Sequence, residues 1–216
     1  GYRSMNSMRI LLGTTNPSKV KRFSDLLKGY DVEFVTLKDL AITDEPEENG
    51  TTPEENAIAK AKFYGQYFEV VICNDSGLYF EELALDDVRQ PGLNVRTPMQ
   101  MDRLSDEEMI DYYSKLIDTL GGKVSAYYLD GIAVYYHGTI CSFMDADEAK
   151  KTGSFYMIGK ASSKRFEGWP LDSLSIIKET GKYFVDGSME ESKENIIKDE
   201  YEKRIVDFLT KSLHIA

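Results

Sequence analysis

The chain has 216 residues, 42% hydrophobic and 29% charged, with a formal net charge of −11. That length is ample for a core and fits one large domain or one domain of two lobes. The acidity argues against nucleic-acid binding as the main task, and no apolar run approaches the roughly 20 residues of a membrane span. The first residues, Gly1-Tyr2-Arg3-Ser4, carry no signal-peptide core and read as an appended remnant before Met5 or Met8. Residues 1–7 are therefore set apart from a single domain over 8–216. Two cysteines, Cys73 and Cys141, lie in apolar strand-like contexts and read as reduced core residues of a cytoplasmic protein. Two histidines, His137 and His214, are too few for a His-rich metal site. Any metal is then held mainly by carboxylates, which favours Mg²⁺ or Mn²⁺.

Met8 to Gly13 reads as a buried strand, followed by the loop Thr14-Thr15-Asn16. Asn16 suits an N-cap and Pro17 the first helical position. Val20, Phe23, Leu26 and Leu27 recur at helical spacing, and Gly29 ends the helix. Val32 to Val35 is the next strand, so the chain opens as an α/β fold. An acidic loop, with Asp44, Glu45, Glu47 and Glu48, leads to Thr52 and Glu55, a capping-box pair. Ala57, Ala61, Tyr64 and Phe68 give that helix its apolar face. Val70 to Cys73 is a strand that delivers Asp75 at its end, and Asp75-Ser76-Gly77 reads as a turn before Leu78-Tyr79-Phe80.

Residues 84–98 are irregular. Ser105 and Glu108 form a second capping box before a helix through Leu120, ended by Gly121-Gly122. Three strands, Ser125–Leu129, Ile132–Tyr136 and Thr139–Phe143, are divided by Asp130-Gly131 and His137-Gly138, both hairpin signals. They are expected as an antiparallel meander in a second lobe. Phe155–Ile158, Leu174–Ile177 and Tyr183–Val185 are further short strands. Ser188 and Glu191 suit a third capping box, and a closing amphipathic helix carries Ile196, Ile197, Tyr201, Ile205, Phe208 and Leu209.

The residues themselves leave alternatives open. Gly13 to Lys19 lacks the second glycine and the Mg²⁺-binding hydroxyl of a P-loop. A strand running into a helix N-terminus still favours an anion, with Lys19 adding charge. A capped helix with an exposed lysine accounts for the same residues. Glu48 fits either a solvated loop or a metal ligand opposite Asp75, and Lys60 either a counter-charge for phosphate or plain exposure. Trp169, between Gly168 and Pro170, is either core or an aromatic plate for a base.

Together these stretches resemble the inosine-triphosphate pyrophosphatase family, from Ile10 to about Arg96. Thr14-Thr15-Asn16-x-x-Lys19 is similar to its phosphate-binding loop. Glu48-Asn49-Gly50 followed by Glu55-Asn56-Ala57-x-x-Lys60 is similar to its acidic loop and helix. Asn74-Asp75-Ser76-Gly77 is similar to its Asp-Asp-Ser-Gly signature, and Pro91-Gly92 with Arg96 to its next segment. The resemblance implies a two-lobed α/β fold around a long curved mixed sheet with flanking helices, and a site in the cleft between lobes. It implies a cytoplasmic homodimer that uses Mg²⁺ to cleave a nucleoside triphosphate, expected to be a non-standard purine, to monophosphate and pyrophosphate. Glu48 would bind the metal, and Asp75 would bind it or activate water. Thr14, Thr15, Asn16, Lys19 and Lys60 would hold the phosphates, both lysines serving catalysis as counter-charges. Ser76, Gly77 and Arg96 would complete the substrate contacts.

The C-terminal half departs from the family. Asn74 replaces the first signature Asp. The family's aromatic loop survives as Gly168-Trp169-Pro170-Leu171-Asp172-Ser173, with Trp169 and Asp172 in the substrate-binding places. Lys193 matches its late lysine. Ile197-Lys198-Asp199 stands where a Ser-His-Arg would read the base. Two other readings therefore stand beside hydrolysis: a nucleotide-binding protein that has lost catalysis, and a phosphohydrolase of a different modified nucleotide.

Overall fold

The computed structural model describes residues 7–186 and 192–216, with the backbone alone for 192–199. Its helices are α1 (Pro17–Leu26), α2 (Pro53–Tyr64), α3 (Asp106–Thr119), α4 (Ala146–Gly153) and α5 (Ser192–Ser212). Its strands are β1 (Met8–Leu12), β2 (Val32–Thr36), β3 (Val70–Phe80), β4 (Lys123–Tyr136), β5 (Thr139–Phe143), β6 (Phe155–Ile158) and β7 (Ser175–Ile176). The strands form one mixed sheet in the order β2-β1-β3-β4-β6-β7, with β5 also on β4. The fold is thus mixed α/β. Two compact units divide it: one takes the chain up to Ser76 with Asp130–Met144 and Lys198–Ala216, the other takes Gly77–Leu129 and Asp145–Ile197. Among the described residues no helix is long and apolar enough to cross a membrane.

The first unit is layered by strand alternation. β1 pairs in parallel with both β2 and β3. A parallel strand covered on both faces reads as an unbroken apolar run, and Ile10, Leu11 and Leu12 are all buried. Ile10, Leu12, Val70 and Ile72 pack with Phe23 and Leu27 of the α1 segment and with Ile205, Leu209 and Leu213. Leu11, Val71 and Cys73 pack on the opposite face with Ala57, Ala61 and Tyr64 of α2. The sheet therefore has α1 and α5 on one side and α2 on the other. Burial pushes the Cys73 thiol up to about 12.

In the second unit, α3 buries Met109, Ile110, Tyr113 and Ile117 against Leu78, Phe80, Val124, Ala126, Phe155 and Met157. Ser105 caps α3 with a complete capping box, its hydroxyl accepting from Glu108 N while the Glu108 carboxylate accepts from Ser105 N. At α2 only half of the expected box forms. Thr52 accepts from Glu55 N, but the Glu55 carboxylate turns to the backbone N–H and hydroxyl of Thr51.

Several expectations are corrected. Asp130-Gly131 is not a hairpin: β4 runs straight through it. Gly131 serves close packing instead, since a Cβ there would lie 2.4 Å from the backbone of Pro53 and Glu54. His137-Gly138 is the real turn, with φ of 44° and 93°. The expected meander therefore reduces to β4 and β5, and residues 130–143 belong to the first unit. Asp75-Ser76-Gly77 is not a turn either, because β3 continues to Phe80. Cys141 is exposed, on a strand that shows alternate residues to solvent. Residues 183–185 form no named strand: Tyr183 makes one bridge to Ile176, and a 3-10 turn follows over Phe184–Asp186. The sequence reading missed α4, although Asp145 caps it, acids open it and lysines close it. The Ser188 and Glu191 pair lies outside the described residues.

Candidate active site

β1 and β2 release their loops at one edge of the parallel part of the sheet, the usual place for a site in an α/β fold, and β3 runs on past that edge. Gly13 N donates to Ile72 O at 2.9 Å, so the loop after β1 starts beside the 74–75 segment of β3. Thr14 Oγ1 accepts from Asn16 N, and Asn16 Oδ1 caps α1 by accepting from Ser18 N at 2.9 Å. Thr15, Asn16 and Ser18 are exposed there. Lys19, in the first turn of α1, points its Nζ at Asn74 O, 3.4 Å away. Lys60 of α2 approaches the same carbonyl from the other face, also at 3.4 Å, and pairs with the Glu48 carboxylate at 3.1 Å.

Alternation along β3 sorts the next two side chains. Asp75 faces α2, where Asn56 Nδ2 donates to its Oδ2 at 2.9 Å. Asn56 is buried, and its Oδ1 accepts from Gly50 N at 2.8 Å. Asn56 and Lys60 are four apart on one helical face, so a single turn of α2 holds both carboxylates. Asn74, 4% exposed, faces α1. Its Nδ2 donates to Asp130 Oδ1 and to Gly131 O, the latter at 3.1 Å. Asp130 Oδ2 accepts from Arg22 Nη2 at 2.6 Å.

Two ammonium groups thus share one carbonyl, with Glu48 and Asp75 close by. Burial lowers the Lys19 pKa below its usual value, and Lys60 lowers it further, against the pull of Asp75, Asp130 and Glu48. Such a pair of partly desolvated cations suits a polyanion that brings its own charge. Among the described residues no three His, Cys, Asp or Glu side chains gather as a metal cage. Two carboxylates are nonetheless a fitting donor set for Mg²⁺, which takes one or two carboxylates and completes its shell with water and substrate phosphates.

Thr14, Thr15, Asn16, Lys19, Glu48, Lys60, Asp75 and Ser76 all fall in the first unit, and Ser76 is exposed. Gly77, Arg96, Trp169 and Asp172 fall in the second. Gly77 is buried, where a Cβ would meet Gly92 O at 2.9 Å. Arg96 pairs with Asp106 at 2.9 Å, and Asp106 accepts from Gly168 N at 2.9 Å, so Arg96 braces the loop that carries Trp169. Trp169 is 58% exposed, which decides against the core alternative. Burial raises the Asp172 carboxyl above the usual range. The Lys193 side chain lies outside the described residues. Sequence reading gave no role to Asn56, Arg22 or Asp130. A buried polar residue on the apolar face of α2 signals the first. Asp130 was hidden by its apparent turn.

Lys19, Lys60, Glu48 and Asp75 thus gather at one edge of a parallel-stranded α/β sheet. The Ham1 family model matches residues 10–154, and the chain belongs to that family. This bears out the resemblance to the inosine-triphosphate pyrophosphatases. A dITP/XTP pyrophosphatase of Caldanaerobacter subterraneus is 42% identical over 88 residues, 40% of this chain and 42% of that protein. The Bacillus subtilis dITP/XTP pyrophosphatase is 43% identical over 76 residues, 34% of this chain and 37% of that protein. The matched stretch spans about two fifths of the length of these curated relatives. A HAM1 protein from Coxiella burnetii superposes with a TM-score of 0.69 over 93% of this chain and 99% of that chain, at 19% identity, a likeness of fold.

Proposed function

We propose that this chain hydrolyses a non-standard purine nucleoside triphosphate, of the dITP and XTP kind, to the monophosphate and pyrophosphate. The observation that carries the reading is the meeting of Lys19 and Lys60 on the Asn74 carbonyl, beside Asp75. The family membership and the names of the curated relatives support the same chemistry. Thr14, Thr15, Asn16 and the first turn of α1 bind the phosphate chain, and the two lysines neutralise it. Ser76 closes this end of the site. Glu48 and Asp75 would hold Mg²⁺, which when bound would screen phosphate charge and polarise the phosphorus centre. Asp75, held on one oxygen by Asn56, orients the attacking water and takes its proton. Aiming that water in line is the positional part of the catalysis, and cation stabilisation of the phosphate oxygens is the electrostatic part. In the second unit, Trp169 offers a stacking face for the base and Asp172 an acid for its edge. Gly77, Arg96 and Lys193 complete the substrate set, Arg96 by bracing the loop of Trp169. The working form is taken to be a cytoplasmic homodimer.

The test is a pyrophosphate-release assay across purine and pyrimidine triphosphates, with and without Mg²⁺. Turnover is expected for dITP or XTP above ATP and GTP, and only with the metal. A flat, inactive panel would end this reading.

A further inference from the structure

Asp130 is a carboxylate in the middle of a strand, on the face where β4 is otherwise apolar. Its neighbours on that face, Ile132 and Val134, are core residues. A charged group in such a place is retained at a cost unless it is paired and hydrogen-bonded. Asp130 is both. One oxygen accepts from the Asn74 amide and the other from Arg22, 2.6 Å away. Arg22 is three residues beyond Lys19 on α1, so the two share a helical face. Both side chains end on Asn74: Lys19 on its carbonyl, and Arg22, through Asp130, on its amide. The Asn74 amide nitrogen also lies 3.1 Å from Gly131 O and 3.3 Å from Asp75 O, so three acceptors hold that side chain.

From this closed circuit we infer that Asp130 is a positioning residue for the polyphosphate site. It fixes the Asn74 side chain, and through it the carbonyl that gathers Lys19 and Lys60 and the strand that carries Asp75. Arg22 ties the same carboxylate to α1, so that Lys19 and its anchor keep one register. The inference deepens the proposed function and rests on it for the identity of the ligand.

The probe is inorganic pyrophosphate, the product, followed by calorimetry in wild type, Lys19→Met, Asp130→Asn and the double variant. Asp130→Asn faces the Asn74 amide with a second amide and removes the charge that Arg22 needs. It is expected to weaken pyrophosphate binding about tenfold or more, as loss of an outer hydrogen-bond partner does at metal and ligand sites. In the Lys19→Met background the same change is expected to cost clearly less, because the part of its effect that runs through Lys19 is already lost. Arg22→Gln, which spares the strand side of the bridge, provides the same cycle if Asp130→Asn does not fold. Wild-type affinity in Asp130→Asn, losses that add in full, or a wild type that does not bind pyrophosphate would each overturn the inference. A wild type that binds pyrophosphate coupled in this way, yet cleaves no nucleotide, ends the hydrolase reading and leaves this one standing. Active wild type with additive losses does the reverse.

Discussion

Lys19 sits where burial and a second ammonium both work against its charge. Its proton is therefore released below pH 10.5, the value of an ordinary lysine. Between the two pKa values the unfolded chain binds the extra proton, so Lys19 makes stability rise with pH in that window. Ligand binding has the opposite sign, because a phosphate needs the ammonium. The alkaline limb of kcat/KM is expected to fall below pH 10.5 and to vanish into a uniformly low rate in Lys19→Met. A pH–rate profile checks this. Lys19, Glu48 and Asp75 were singled out in the sequence by a helix's first turn, a polar loop and a strand end, and Lys60 by the resemblance of its helix to the family's. Asn56 gave only the faint signal of a polar residue on an apolar helix face and Asp130 none, because the partners that define them are distant in sequence. Those partners lie 19 residues away for Asn56 and 56 for Asp130.

At the scale of elements, strand alternation does the sorting. Val70 and Ile72 face α1 and α5 while Val71 and Cys73 face α2. The same period sends Asn74 to Asp130 and Asp75 to Asn56. Reading the 73–77 segment as a turn missed this, since Asp, Ser and Gly are turn formers by composition. The unbroken strand is what places consecutive residues on opposite faces. Asp130-Gly131 misled in the same way. A hairpin of that type needs positive φ at both central residues, and neither residue has it. The glycine is there because α2 starts against it. Gly131→Ala is expected to destabilise the fold by about 1–3 kcal/mol, the range for overpacking, because the clash is with backbone. Urea unfolding measures it, and a midpoint equal to wild type would mean that α2 does not press on β4. The helices were the most legible elements, as caps and 3.6-residue periodicity are local. Short α4, with no buried residue, gave no apolar period to find.

At the scale of the whole molecule, the α/β class was evident from the opening β-loop-α-β. The division into units was less so, because each unit draws on separated parts of the chain. The lysine and carboxylate cluster is assembled by one unit from the acidic loop, α1, α2 and β3, with Lys19, Lys60, Glu48 and Asp75 as its charged members. The central claim is that this set cleaves a triphosphate into monophosphate and pyrophosphate with Asp75 orienting the water. The most direct measurement is ³¹P NMR of dITP and XTP turnover with Mg²⁺, in wild type and Asp75→Ala. Equal amounts of nucleoside monophosphate and pyrophosphate are predicted for wild type, and at least a hundredfold slower release for Asp75→Ala, in line with roughly 10²–10⁴ for loss of a general base. Orthophosphate with nucleoside diphosphate, or an Asp75→Ala rate equal to wild type, would contradict it.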